Sequence, residues 1–294
     1  MKLGAVFPHQ QMPDDPAFLR DLAQMLESLG YSHILAYDHV LGAVHENREP
    51  RLIGPYTEKH AFHEPMVLFG FLAACTERLG LATGVLILPQ RQTALVAKQA
   101  IEIDILSGGR FRLGIGTGWN YVEYDSLGED FASRGARIDE QVDLLRKLTS
   151  EPVIDFSGDF HRIDRAGLLP LPDRRIPIWF GGFRPVALNR AARIGDGFIL
   201  GAGVPTNLEA VAHIRSQLEL CGREASEFGF EAHVMYAMPR ESWRSEIEAY
   251  KDAGVDMVCL RIEDMNPDPS SPLAPEEIMR RFRDYRESLS DLIE

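Results

Sequence analysis

What most constrains this chain is a rhythm: short apolar runs and longer amphipathic stretches alternate eight times from end to end. Residues 3–8 read as a strand, and 16–30 as a helix with Leu19, Leu22, Ala23, Leu26 and Leu29 on one stripe. The pairing repeats at 33–40 with 65–79, 81–89 with 94–106, and 111–116 with 134–149. It continues at 176–181 with 185–194, 196–202 with 208–221, 231–237 with 242–253, and 257–262 with 275–289. Alternating βα units imply a parallel sheet, and eight of them in 294 residues favour closure into a barrel. The expected fold is therefore α/β: a single (β/α)8 TIM barrel spanning 1–294. The alternative, a doubly wound sheet in two lobes, would need a linker rich in Pro, Gly or Ser, and none divides the chain. Two insertions break the rhythm. One is a long polar loop at about 42–64, after the second strand. The other lies at about 151–175, where Val153-Ile-Asp-Phe156, a Ser-Gly-Asp turn and Phe160-His-Arg-Ile163 predict a β-hairpin before the fifth strand.

Composition narrows the function classes. A formal net charge of −13 with no basic cluster opposes phosphate-backbone binding, so nucleic acid is not an expected partner. The longest apolar run, near Leu79 to Pro89, is about half of what a membrane span requires. Cys75, Cys221 and Cys259 are scattered and odd in number, with neither a disulfide pattern nor zinc-ligand spacing. The N-terminus reaches Pro8 without an apolar stretch long enough for a signal peptide. A cytoplasmic protein that acts on a small molecule is the expectation, with no metal.

In a barrel, chemistry collects where strands end and loops begin. Those ends carry Pro8-His9-Gln10, Tyr37-Asp38-His39, Thr83-Gly84-Val85, Gly114-Ile-Gly-Thr-Gly-Trp-Asn120 and Gly181-Gly-Phe183-Arg184. A histidine at a strand end can move a proton near neutral pH, whereas Asp38 next to it serves equally well as a loop cap. Gly84 inside a β-branched run marks either a bulge approached by another group or tight barrel packing. The glycines at 114, 116 and 118 fail the dinucleotide fingerprint, which needs glycine where Trp119 stands. Gly181 and Gly182 before Pro185 leave N–H groups open at the positive end of a helix, and Arg184 adds donors for phosphate. The His60-Ala-Phe-His63-Glu64 run has ligand-like spacing without the helix of a zinc motif. Ser107-Gly-Gly-Arg110, between a helix and the next strand, belongs to the opposite, structural face. Neither a nucleophile elbow nor a P-loop is present.

Taken together, the stretch from Glu64 to Val85, Ala97-Lys-Gln-Ala100, Ile105-Leu-Ser-Gly-Gly-Arg110, Gly114–Trp119, Ile178-Trp-Phe-Gly-Gly182 and Ala192-Arg-Ile-Gly-Asp-Gly197 resemble the luciferase-like monooxygenase superfamily. The resemblance runs to about Leu200; beyond it only the barrel rhythm matches. It implies a bacterial-luciferase-like barrel that binds FMN or the deazaflavin F420, and Asp38-His39 looks closer to the F420-dependent oxidoreductase branch. It further implies a bulge with a non-proline cis peptide at Gly84–Val85, flanked by Thr83, behind the cofactor ring. Asp38 and His39 are then near the ring, Asn120 is beside it, and Gly181, Gly182, Phe183 and Arg184 are at the phosphate. Phe183 departs from the smaller residues usual there. Substrate would enter over the ring near His9 and His63, under the 42–64 loop and the hairpin, with His39 or His9 balancing the proton. With F420 the implied reaction is hydride transfer to or from a small organic substrate. With FMN it is O2-dependent monooxygenation fed by a partner flavin reductase. A non-catalytic flavin-binding barrel is the third reading, against which the polar set Asp38, His39 and Asn120 speaks. The resemblance also implies a homodimer.

Overall fold

The structure is a computed structural model, and it describes residues 1–264 and 270–294. In chain order the elements are β1 (Lys2–Val6), α1 (Pro16–Ser28), β2 (His33–Ala36), α2 (Pro65–Cys75), β3 (Gly80–Thr83), β4 (Leu86–Ile87), α3 (Thr93–Leu106), β5 (Phe111–Gly116), α4 (Tyr121–Ser126) and α5 (Arg134–Leu148). Then follow β6 (Ile154–Ser157), β7 (Arg162–Ala166), β8 (Ile178–Gly181), α6 (Pro185–Ile194), β9 (Gly197–Leu200), α7 (Val204–Leu220), β10 (Gly229–Met235), α8 (Arg240–Asp252), β11 (Met257–Arg261) and α9 (Pro275–Ser288). The parallel order β3-β2-β1-β11-β10-β9-β8-β5 closes through a β3–β5 pairing, so eight strand positions make a TIM barrel. The insertion at 151–175 folds as the antiparallel hairpin β6–β7.

Local chemistry sets the element ends. Asp15 and Glu64 accept backbone N–H groups as N-caps of α1 and α2, each followed by proline in the first turn. Past the end of α3, Gly108 and Gly109 take positive φ of 66° and 82° and stop the helix. Arg110 then donates to the carbonyls of Ala73, Thr76 and Leu79, which ties α2 and β3 to the entry of β5 on the structural face. The third strand departs from the continuous run expected at 81–89. It breaks after Thr83 and resumes at Leu86, and the Gly84–Val85 peptide between is cis. α4 is absent from the sequence reading; a helix of six residues gives too short a period to recognise.

Two cores result. The larger lies between strands and helices, and the smaller fills the barrel with Val6, Leu35, Ala82, Trp179, Ile199 and Cys259. Alternation along each strand stacks the lumen in layers. At the strand starts, Arg112 lies 4.2 Å over Trp179 and pairs with buried Glu231, whose carboxylate is also 3.1 Å from His33 Nε2. Gly4, Gly197 and Gly229 leave the room for the His33 and Trp179 rings, which a Cβ there would strike.

Candidate functional site

At the other end of the lumen the inward positions divide into two halves. From β5, β8 and β9 come Gly116, Gly181 and, just past the strand, Gly201; from the end of β2, just past the strand, comes Tyr37, and from β10 and β11 come His233 and Arg261. The glycine half is floored by Val85. A Cβ on Gly116 or Gly181 would approach its methyl groups to 2.6 and 2.8 Å, so side chains there would displace the floor. Gly84 is held by its N–H to the Ala36 carbonyl (2.8 Å), and its own Cβ would collide with Leu35. Thr83 turns away from the site: its hydroxyl donates to Gly114 O (2.7 Å) and accepts Gly114 N–H (2.8 Å). It thereby joins β3 to β5 just where the ladder breaks.

Asp38 and His39, adjacent in sequence, go to different tasks. The buried Asp38 carboxylate accepts from Arg91 (2.6 Å) and from the Ile87 N–H (2.9 Å), while Arg91 reaches on to Glu64 (3.2 Å). Both its oxygens are engaged, so it braces the segment after the bulge. His39 faces the mouth, with its ring 4.8 Å from Phe62, 5.1 Å from Tyr56 and 5.7 Å from Trp119. Its Nδ1 lies 3.3 Å from Glu123 Oε1, an oxygen that also accepts the N–H groups of Val40 (2.8 Å) and Leu41 (3.1 Å). Glu123, on α4, therefore sets both the loop and the imidazole. Sequence reasoning missed it with its helix. Asn120 caps α4 through Val122 N–H (3.1 Å) and donates to Leu41 O (3.3 Å), so it too fixes the loop after β2.

His9 is buried beside Phe7, Phe62 and His63. Its Nδ1 accepts the His63 N–H (3.1 Å), which leaves the proton of a neutral ring on Nε2, an atom with no partner among the described residues. Burial, then the nearby His63 and His39, lower its pKa to about 3. Across Tyr37, burial lowers His233 to about 4; its Nδ1 is 3.5 Å from the Tyr37 hydroxyl and its Nε2 also has no partner among the described residues. Both rings are neutral at physiological pH. Unpaired buried polar atoms are costly, and here two lie at the same end of the lumen. His233, Arg261 and Glu263 escaped the sequence reading because their strands carry no motif; only the barrel register shows which residues face inward.

The remaining candidates sit at the rim. The His63 imidazole faces Asp14 at 3.5 Å, and His60 Nδ1 accepts the Thr57 N–H (3.0 Å), so the two do not converge on a metal. The one His/Glu/Cys group that does converge among the described residues, His33, Glu231 and Cys259, lies at the far end with Arg112 already on its carboxylate. Gly182, at φ 150°, leads into α6, where Arg184 stands exposed at the N-cap. Gly182, Phe183, Leu200, Gly201 and Thr206 border a cavity of about 300 Å³ between α6 and α7. The 42–64 loop covers the mouth and is packed down: Gly54 lies against Trp119, and Tyr121 donates to Pro50 O (2.6 Å).

A layer with glycines over aliphatic Val85 on one side and imidazoles on the other fits a flat, hydrogen-bonding ring system of the flavin type. Comparison with known proteins agrees in kind. An uncharacterized protein of Mycobacterium tuberculosis is 35% identical over 238 residues, covering 78% of this chain and 80% of its own. An F420-dependent glucose-6-phosphate dehydrogenase of Mycolicibacterium fortuitum is 30% identical over 237 residues (77% of this chain, 66% of the relative). An FMNH2-dependent dimethylsulfone monooxygenase of Pseudomonas fluorescens is 31% identical over 203 residues (68% and 50%). The crystal structure of the monooxygenase RslO1 from Streptomyces bottropensis superposes with a TM-score of 0.78 at 18% identity, over 99% of both chains. The family model for luciferase-like monooxygenases matches residues 1–289, and the chain belongs to that family.

Proposed function

We propose that this chain is an F420-dependent oxidoreductase that transfers hydride between the deazaflavin and a small organic substrate. The observation that carries the reading is the divided upper layer: glycines over Val85 on one side, neutral His9 and His233 on the other. Relatives that use F420 and relatives that use reduced FMN both stand near 30% identity, so the family admits either. Bound F420 would supply two-electron hydride chemistry and no oxygen insertion.

The chain's own residues do the rest. Val85 would back the ring, Gly116 and Gly181 would let it approach the backbone, and Gly182 with the start of α6 would receive the phosphate. Glu123 holds His39 Nδ1, which leaves His39 Nε2 to take or give the substrate proton. His9 offers its Nε2–H as a donor to the substrate oxygen, and Phe62, Tyr56 and Trp119 keep water from the reacting atoms. An FMN-dependent monooxygenase served by a partner reductase is the second reading, favoured by the dimethylsulfone monooxygenase relative.

The test is equilibrium binding of F420 and FMN side by side, followed by fluorescence quenching. Binding of F420 at least about tenfold tighter, or 1.4 kcal/mol, is the expected result. FMN preference moves the case to the monooxygenase, and binding of neither refutes both.

We also propose a homodimer through α2 and α3. α2 has no polar residue from Pro65 to Cys75, and Val67, Phe71, Leu95, Ile105 and Leu106 are exposed on the two helices. A barrel helix normally turns a polar face outward; apolar residues on two adjacent helices suit an isologous contact. Sedimentation of a Val67→Glu, Phe71→Glu double variant should give a monomer.

A further inference from the structure

The mouth of the barrel holds a cation that the proposed hydride chemistry does not use. On β11, Val258 and Leu260 pack outward into the main core, whereas Cys259 fills the lumen and Met257 packs against it. Arg261 continues the inward series and tops the lumen beside Tyr37, Tyr56 and His233, whose proton affinities respond to its charge. Its Nε donates to Glu263 Oε2 at 2.8 Å, and the other oxygen of that buried carboxylate accepts the Gln10 N–H at 3.3 Å. Glu263 thus fixes the plane of the guanidinium from behind. The two terminal nitrogens make no hydrogen bond to any other described residue. A fork held at its base and open at its tips, next to a slot for a reactive ring, is built to receive something.

We propose that Arg261 is a substrate-binding residue, and that the substrate carries a carboxylate taken up by its two terminal nitrogens. This rests on the reading of the slot as the cofactor site, since only then does a ligand on Arg261 meet the reacting ring. The charge balance selects the class of anion. Arg91, beside the mouth, is committed to Asp38 and Glu64. His9 and His233 are neutral, and Glu263 offsets part of the Arg261 charge. One partly compensated cation matches a monoanion and leaves a phosphate dianion undercompensated. A planar carboxylate also fits the spacing of the fork in a way that a point cation would not require. In a chain with net charge −13 this is a local focus working against the overall field.

Calorimetric titration of the full chain, with and without saturating F420, with benzoate, benzamide and phenyl phosphate tests this directly. Benzoate should bind at least about tenfold tighter than either of the other two. Arg261→Gln should remove that preference while leaving F420 affinity within about threefold, and Arg261→Lys, which keeps the charge and loses the fork, should fall between. Benzoate no tighter than benzamide, phenyl phosphate tighter than benzoate, or an unchanged preference in Arg261→Gln each overturns the proposal. Failure of both F420 and FMN to bind is a separate outcome. It removes the cofactor reading and with it the claim that the anion is a substrate, whatever benzoate does.

Discussion

The two ends of the barrel lumen are built from the same eight strands with the same alternation, yet they solve opposite problems. At the strand starts, glycines are spaces that His33 and Trp179 fill, and Glu231 is gripped by Arg112. At the strand ends, Gly116 and Gly181 lie against the Val85 methyl groups and backbone carbonyls, with no large ring filling the space, and His9 and His233 hold nitrogens without a partner among the described residues. A glycine or a buried ionisable group therefore means nothing by itself. Its role is decided by whether the lumen supplies its partner or leaves it for a ligand.

The largest effect expected from breaking that contrast is on stability. Glu231→Ala strands Arg112 and His33 in the lumen without their carboxylate, which should cost about 3–5 kcal/mol in urea unfolding. F420 affinity of the folded protein should change little, because the damage lies layers away. A variant that unfolds normally but loses the cofactor would abolish the distinction between the ends. Next comes Gly116→Val, which adds bulk where even a Cβ would stand 2.6 Å from Val85. Overpacking of about 1–3 kcal/mol should fall mainly on the slot, with F420 binding weakened by about tenfold to a hundredfold and the unfolding midpoint moved less than in Glu231→Ala. Glu123→Gln should then slow single-turnover hydride transfer by up to about a hundredfold through loose positioning of His39, while cofactor affinity holds within about threefold. Equal losses in both would make Glu123 a scaffold residue only.

How much of this is legible in the chain depends on which end is read. The barrel is legible because buried parallel strands and amphipathic helices have distinct periods, and β5 and α6 begin and end where the pattern places them. Gly84 stood out because glycine is foreign to a β-branched run. Asp38, Thr83 and Asn120 were singled out by neighbourhood, but the directions of their side chains, toward Arg91, Gly114 and Leu41, are tertiary facts. His233, Arg261 and Glu263 left no trace, since a polar residue at an inward position looks like any other until the register is known. Glu123 was hidden because α4 is a helix of six residues.

Acid should sharpen the comparison further. His9 and His233 titrate near 3 and 4 in the fold because burial opposes their charged forms, against about 6.5 in the unfolded chain. Below pH 6.5 the unfolded state takes up protons that the native state refuses, so stability falls with pH, by up to about 1.4 kcal/mol per pH unit for each ring. Glu231 works from a lower window: its pKa is held down by Arg112 and His33 against the opposing effect of burial, so its contribution is present above the usual carboxylate range and is lost only in stronger acid. Between pH 6.5 and 5 the two rings at the upper end lower stability as acid is added, while Glu246 on α8, raised to about 7 by burial, works in the opposite sense. His9→Gln should remove up to about 1.4 kcal/mol per pH unit of the acid-side loss in urea unfolding at stepped pH; an unchanged slope would mean that His9 is not buried as a neutral ring.

The smallest effect is expected at Phe183, where the contrast between the two ends predicts almost nothing. The residue is 77% exposed, with the tip of its ring facing Gly201, where a Cβ would stand 3.3 Å from it. Phe183→Ala removes no buried apolar area of consequence, so stability should stay within about 0.5 kcal/mol. The residue still borders the cavity into which Gly182 opens, and this is where its bulk can matter. If the cofactor phosphate is held by the backbone before α6, F420 affinity should also stay within about threefold, because no donor is lost. A loss of tenfold or more would show that the ring itself packs on the cofactor, and would extend the ligand-facing wall of the lumen from glycine backbone to an exposed aromatic side chain.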